Sequence, residues 1–406
     1  MLPYILLVDG ETRGDFYREI RQVFKANWLT KIDLSPEPES GQIVPQRNQI
    51  DLALVSDESF SPWATIITEL KRQQVPTLHL VDGILEWHKI WDNPRSQSAD
   101  HGMPLFQPIL CHKVACLGRS QARIFESWGN LGKCEIVGAP RFDQLIDRKP
   151  RDRQPDQPWR LLIMTAQPPG FTSAQINQTK QSLLDLKQWF EAHPQLNGIK
   201  IEPVWHLPKG LDREIGRSSI STQITTPTNL EQVIRSVDAI VTTPATAMLE
   251  GMRLGLPVAL LDYNNSPQYV PAAWQITAAS HIQPVLSGLV TPSPARLLYQ
   301  DTILHDALEC QTPAIDRLVV LMRSMIDHGK QCRAMGRSLR LPDRILSDPQ
   351  KGYHLPETRL DMQSLYPKHP VFANMDLWAL QAEVGHLRQQ NQMLQAEIER
   401  MQSNQI

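Results

Sequence analysis

The chain has 406 residues, 41% of them apolar, and a formal net charge of −2. At roughly 150 residues per domain, this length suits two or three domains with ordinary cores. The balanced charge offers no basic excess for nucleic acid or an anionic membrane, and no run of about 18 apolar residues is present to span a bilayer.

Cys111, Cys116, Cys134, Cys310 and Cys332 are scattered and contain no Cys-x-x-Cys pair. That pattern fits thiols in a reducing compartment and speaks against a disulfide framework or a zinc site. The apolar run at the N-terminus is too short for a signal peptide, so a cytoplasmic location is expected, with membrane association at most peripheral.

The first strand is expected over Tyr4 to Val8, closed by Asp9-Gly10, and a helix over residues 13 to 26 through Phe16, Ile20, Val23 and Phe24. Asp51 to Val55 reads as the next strand. Pro62 then opens a helix through Ile66, Ile67 and Leu70, where its missing N–H costs nothing. Thr77 to Val81 is a strand ending in Asp82-Gly83. Val114 to Leu117 is another, followed by a helix from about Ser120 to Trp128, and Ile136-Val137 leads into Gly138. Alternating short apolar runs and amphipathic stretches imply a parallel sheet covered on both faces. Asp9, Ser56, Asp57, Asp82 and Gly138 gather just after strand ends, the edge where open α/β sheets bind ligands. Taken singly, each also suits a turn or a helix cap.

A polar, proline-rich stretch from Arg148 to Pro158 marks a domain boundary. Beyond it, strands are expected over Trp159 to Met164, Ile199 to Val204 and Ile220 to Ile224. Helices run through Leu183, Leu186 and Phe190, and through Leu230, Val233 and Ile234. Residues 237 to 262 read as strand, small hydroxyl-bearing turn (Thr242 to Ala247), helix (Met248 to Leu254), Gly255 stop and strand (Val258 to Leu261). Such a turn lets a phosphate reach free N–H groups at a helix start, and Glu250 could reach a ribose hydroxyl pair. Small residues there also permit tight helix–strand packing.

A helix is expected over residues 303 to 336 and an extended linker over 341 to 373. Leu377, Val384, Asn391 and Ile398 then recur as a positions, and Leu380, Leu387, Leu394 and Met401 as d positions. This pattern, with a lone Asn at a, predicts a parallel dimeric coiled coil over about 374 to 403. A single amphipathic helix folded back on the body is the alternative.

The segment 237–262 resembles the second domain of GT-B glycosyltransferases and of the related UDP-N-acetylglucosamine 2-epimerases. Three further stretches agree in order. Gly138-Ala-Pro-Arg-Phe-Asp143 resembles the Gly-x-Pro-x-x-Asp hinge that ends the first domain. Thr165-Ala-Gln-Pro168 is similar to the first-strand loop of surface-polysaccharide and polyol-phosphate transferases. Pro203-Val-Trp-His206-Leu-Pro208 is similar to a histidine-proline loop found in epimerases and transferases alike. The resemblance implies an α/β fold of two doubly wound Rossmann-like domains, over 1–150 on the acceptor side and 158–340 on the nucleotide-sugar side. It implies donor contacts at Thr165, Gln167, His206, Thr243, Thr246 and Glu250, with Asp9, Gly10, Gly138 and Arg141 bordering the cleft. Asp82 is the first candidate for an acceptor-side base, and Glu86 and His88 are alternates.

The implied reaction is sugar transfer from a nucleotide sugar to a glycan or lipid-linked acceptor, with the donor as substrate and no cofactor. No Asp-x-Asp motif is present, so no metal is expected. The turn departs from the epimerase pattern, with Thr-Pro-Ala-Thr in place of Ser-Gly-Gly and a single glutamate. Epimerase chemistry, polyol-phosphate transfer and a non-catalytic scaffold all remain as alternatives.

Overall fold

A computed structural model describes residues 2–8, 20, 23–29, 50–58, 63–81, 83–94, 105–145, 153–154, 157–208, 210–216 and 227–347. It also describes 384–385, 387–388, 390–391, 394–395, 398 and 400. The N-terminal sheet contains β1 (Tyr4–Val8), β2 (Asn27–Leu29), β3 (Leu52–Val55), β4 (Thr77–Leu80), β5 (Lys113–Cys116) and β6 (Cys134–Ile136). Its order is β2-β1-β3-β4-β5-β6, and every pairing is parallel. Helix α1 (Trp63–Arg72) leads from β3 to β4, and α2 (Arg119–Ser127) from β5 to β6.

Side chains alternate across this sheet, as strand geometry requires. Leu6, Val8, Ala53, Val55, Val114 and Cys116 enter one core with α1 and α2. Ile5, Leu7, Leu52, Leu54 and Ala115 enter another on the opposite face. Both faces are buried, which is why these strands read as continuous apolar runs. The edge strand β2 was not expected, because three residues are too few to display a period. The helix expected over 13 to 26 falls largely outside the described residues, although Ile20 and Phe24 are buried against the sheet.

The C-terminal sheet is built from β7 (Trp159–Met164), β8 (Gln195–Leu196), β9 (Ile199–His206), β10 (Ala239–Thr242), β11 (Val258–Leu261) and β12 (Trp274–Ile276). Its order is β12-β11-β10-β7-β9-β8. The β8–β9 hairpin is antiparallel and the other pairings are parallel. Around it lie α3 (Ser173–Ala192), α4 (Leu211–Glu214), α5 (Pro227–Arg235), α6 (Ala247–Arg253), α7 (Ile282–Val290) and α8 (Pro294–Ala307). A reciprocal capping box between Thr172 and Gln175 starts α3. The strand expected over Ile220 to Ile224 lies outside the described residues. Strand β9 runs two residues further than the pattern suggested, so Trp205 and His206 belong to the sheet.

Two expectations are corrected. The helix expected over 303 to 336 is two helices, α8 and α9 (Ala314–Ala334), separated by 308–313. In that break Glu309 N–H donates to Leu117 O at 2.7 Å, so the chain recrosses to the first domain. Helix α9 then buries Leu318, Leu321, Met322, Met325 and Ile326 against Ile5, Leu7, Leu52 and Leu54. The second domain therefore stops near residue 308, not 340, and 314–347 belong to the N-terminal domain. The first residues of the expected linker are held there as well. Lys113 Nζ donates to Asp343 O at 3.0 Å, and Glu135 accepts from Ile345 and Leu346 N–H. Residues 348–373 lie outside the described residues.

The described residues of the C-terminal segment are helical. Val384, Leu387, Leu394 and Ile398 are 39, 50, 53 and 52% exposed. Arg400 Nη2 donates to Gly336 O at 2.5 Å.

Candidate functional site

The C-terminal ends of both sheets face a cleft between the domains. In the second sheet the chain order reverses between β7 and β10, and such a switch point leaves a crevice beyond the strand ends. Thr165 follows β7, and His206 ends β9 beside Met164. Thr165 Oγ1 and His206 Nδ1 are both buried without a hydrogen-bond partner among the described residues. Burial also pushes His206 below the ordinary histidine value, so its ring is neutral near pH 7. Gln167, two residues past Thr165, is exposed.

The hydroxyl turn between β10 and α6 ties the cleft together. Ala166 N–H donates to Thr243 Oγ1 at 2.7 Å, which joins the β7 and β10 ends. Thr246 makes no cap bond to its own helix. Its Oγ1 instead accepts from Ile84 N–H of the first domain at 3.1 Å. A Cβ on Gly83 would come within 2.4 Å of that oxygen, so glycine is required for this approach. Both threonine oxygens act as acceptors and each keeps its own O–H to donate. Glu250 lies in the first turn of α6 and is half-buried. Burial raises its pKa, and the Arg141 guanidinium opposes the rise.

Arg141 itself is exposed, on a 3-10 turn over Pro140–Leu145. Gly138 has φ +88°, and a Cβ there would lie 2.5 Å from Glu309 O. The structure thus gives Gly138 the task of letting the two hinge strands of chain cross. Asp143 accepts the N–H groups of Ala314 and Ile315 at 2.8 and 3.0 Å, capping α9.

On the first-domain side, Asp9, Gly10 and Asp82 lie outside the described residues. Glu86 and His88 line a small interdomain cavity with Ile84, Pro244, Ser266 and Tyr269. Burial raises the Glu86 carboxyl to about 7, opposed by His88 and Lys89 and reinforced by Asp262. His88 opens a π-helical turn over His88–Asp92. Its Nδ1 lies 2.5 Å from Asp92 Oδ2 and its Nε2 lies 2.5 Å from Ser266 Oγ. Gln175 Nε2, from α3, lies 2.8 Å from both Asp92 Oδ2 and His88 Nδ1.

Tyr269, a second-domain residue, is buried in the first-domain core. Its hydroxyl accepts from Trp91 Nε1 at 2.8 Å, and its ring packs on Trp87 and Trp128. Sequence reasoning missed Asp92, Gln175, Ser266 and Tyr269. The four-residue spacing of His88 and Asp92 was available as a signal. Nothing local marked the other three. Among the described residues, no group of three or more His, Cys, Asp or Glu could hold a metal, and no helix is long and apolar enough to cross a membrane.

No protein-family model matches the chain, and no curated protein matches it. Solved structures do. A Staphylococcus aureus MnaA–UDP co-structure is 11% identical, with 80% of this chain and 97% of that one covered and a TM-score of 0.52. A Listeria monocytogenes protein described as a UDP-N-acetylglucosamine 2-epimerase is 11% identical, covering 80% and 96%, with a TM-score of 0.50. The H444N variant of the wall teichoic acid polymerase TagF is 11% identical, covering 81% and 90%, at 0.49. At such identities the likeness is one of fold: this chain shares the two-domain, parallel-sheet architecture of the MnaA and Listeria structures.

Proposed function

We propose that the chain is a glycosyltransferase that binds a nucleotide sugar on the second-domain side of the cleft. It passes the sugar to a hydroxyl of a glycan or lipid-linked acceptor on the first-domain side, in the cytoplasm. The observation that carries this reading is the pair of buried, unpartnered polar atoms, Thr165 Oγ1 and His206 Nδ1, at adjacent strand ends of a switch-point crevice. Buried polar atoms are normally paired, and an orphaned pair at a ligand edge suits a polar ligand. The O–H groups of Thr243 and Thr246 add donors for a diphosphate, and Glu250 stands within reach of the same turn for sugar or ribose hydroxyls.

Sugar transfer also needs a base for the acceptor hydroxyl, and a base works best with a pKa near the operating pH. Glu86, raised to about 7 and lining the interdomain cavity, meets that requirement. The resemblance favoured Asp82 for this role, and Glu86 takes it here as the described candidate.

One observation favours a second reading, a scaffold without catalysis. The interdomain cavity has room for little more than a water molecule as it stands, and the Thr246 oxygen already bridges the domains. A thermal-shift screen against UDP, GDP, CDP, ADP and their sugar conjugates separates the two. Ligand at a hundred times its Kd stabilises the fold by ~2.7 kcal/mol. The transferase reading expects a shift with one base, lost in Glu250→Ala and His206→Ala while their unliganded melts stay close to the parent. No shift with any nucleotide would leave the scaffold.

A further inference from the structure

The interdomain cavity holds a second chemical arrangement that sugar transfer does not use. Asp92, His88 and Ser266 form a line of carboxylate, imidazole and hydroxyl, with 2.5 Å at each step. With the Asp92 carboxylate oxygen as acceptor, Nδ1 of His88 is the donor and Nε2 is left as an acceptor facing Ser266 Oγ. Gln175 Nε2 then serves Asp92 Oδ2, and its approach to Nδ1 is contact without a bond. A carboxylate that fixes the tautomer, an imidazole that takes the proton and a hydroxyl in line are the working parts of a serine nucleophile.

Ser266 is held in place by its own loop. It lies five residues beyond the end of β11, at the ligand edge of the sheet. Asp262 accepts N–H bonds from Asn264 at 3.0 Å and from Ser266 at 2.9 Å, which curls the chain and aims the serine across the cleft. Three residues later Tyr269 is anchored among Trp87, Trp91 and Trp128. The cavity around Ser266 is walled by apolar Ile84, Leu85, Pro267 and Val270, with Glu86 and Gln268 as further polar members of the lining. A second small opening shares Ile84, Leu85, Tyr269 and Val270 with it.

We infer that Ser266, His88 and Asp92 form an acyl-transfer site, assembled only when the domains close, that cleaves esters of short acyl groups. Ser266 Oγ attacks the ester carbonyl carbon as its proton passes to His88 Nε2. The carbon–oxygen bond to the alcohol breaks, and His88 returns the proton to the departing alcohol oxygen. Water then attacks the acyl-Ser266, giving its proton to His88. The carboxylic acid leaves and Ser266 regains a proton from His88. Ester and water become alcohol and acid, with no other reactant. The apolar walls receive the acyl group, and the alcohol portion faces the open cleft.

The test uses the full-length chain with a fluorophosphonate probe, which a serine nucleophile attacks with loss of fluoride. The expected result is one adduct, mapped by peptide mass spectrometry to Ser266 and absent in Ser266→Ala. In Asp92→Asn the labelling rate should fall at least a hundredfold, because the orienting carboxylate sets the tautomer. p-Nitrophenyl acetate and butyrate should be hydrolysed by the parent and not by Ser266→Ala. Circular dichroism and melting are read on each variant, and Ser266→Thr serves as a second probe should Ser266→Ala fail to fold. A folded parent that gains no adduct at Ser266 and hydrolyses neither ester overturns the inference and reduces the His88–Ser266 bond to a closure contact. The nucleotide screen is run on the same samples without an ester, so either activity can fail while the other stands.

Discussion

Asp143 and Ala314 stand 171 positions apart in sequence, yet the carboxylate of the first accepts the backbone N–H of the second at 2.8 Å. The other carboxylate oxygen takes Ile315 N–H at 3.0 Å. The last residue of the Gly-x-Pro-x-x-Asp motif thus caps the helix by which the chain returns to its first domain.

Removing that cap should be costly. Loss of an N-cap side chain costs ~0.5–2 kcal/mol, and here two N–H groups lose their acceptor. Asp143→Ala is expected at the upper end of that range by urea denaturation, with Asp143→Asn retaining part of the loss. A change below about 0.5 kcal/mol, the size of an ordinary surface substitution, would remove the capping account.

Among the contacts that fasten the second domain to the first, one is a buried ring. Tyr269 is 5% exposed among first-domain aromatics, so Tyr269→Ala leaves a cavity in a core it does not belong to by sequence. Large-to-small aromatic replacements cost ~3–5 kcal/mol. Calorimetry should show lower stability and a single unfolding transition splitting in two as the domains uncouple. Tyr269→Phe keeps the packing and should cost only about 1–2 kcal/mol. Equal losses in the two variants would mean that the hydrogen bond to Trp91, not the packing, fastens the domains.

Glu86 gives the fold a pH signature. Burial raises its carboxyl from 4.5 to about 7. Between those values the folded chain keeps a proton that the unfolded chain has released, so stability falls as pH rises through that window and levels off above it. Glu86→Gln removes this contribution. The stability of the variant relative to the parent should therefore climb from about pH 5 to about pH 7 and then stay flat. Denaturant melts at stepped pH give the difference directly, and a difference constant across that range would return Glu86 to an ordinary titration.

Lys71 acts with the opposite sign. It is lowered from 10.5 to about 7 by burial and by Lys133, opposed by Cys111 and Glu58, and donates to Leu110 O at 2.8 Å. Above about 7 the unfolded chain binds a proton that the folded chain has given up, so stability rises with pH until about 10.5. Lys71→Met should lose that rise. Its stability relative to the parent is expected to be highest near pH 7 and to decline toward pH 10, read by the same melts.

The heptads at the C-terminus carry the remaining prediction, a parallel homodimer. The exposed Val384, Leu387, Leu394 and Ile398 need a partner stripe, and Asn391 at an a position favours a second copy in register. Truncation after Phe372 should shift sedimentation from dimer to monomer. A profile unchanged by truncation would assign self-association elsewhere.

Several parts of the molecule were legible from one sequence because their causes are local. Strands β1, β7 and β11 lie where the apolar runs put them, since a strand buried on both faces shows as a continuous run. Helix α6 and its Gly255 stop followed from helical spacing and turn chemistry. Local pattern failed at 303–336, where apolar spacing is similar on both sides of the break and only Pro313 hints at it. It failed again at Trp205 and His206, where a proline-rich context concealed a longer strand.

The sequence by itself determined two series of parallel strands and, between β10 and β11, a small hydroxyl-bearing turn with Thr243 and Thr246 leading into a helix that carries Glu250, because periods of two and of 3.6 residues are written within a dozen positions. Only the tertiary structure decided that α9 belongs to the first domain, that Tyr269 closes the interface and that His88 meets Ser266 across 178 positions. Those contacts depend on the path of the chain between the elements, and no local period records that path.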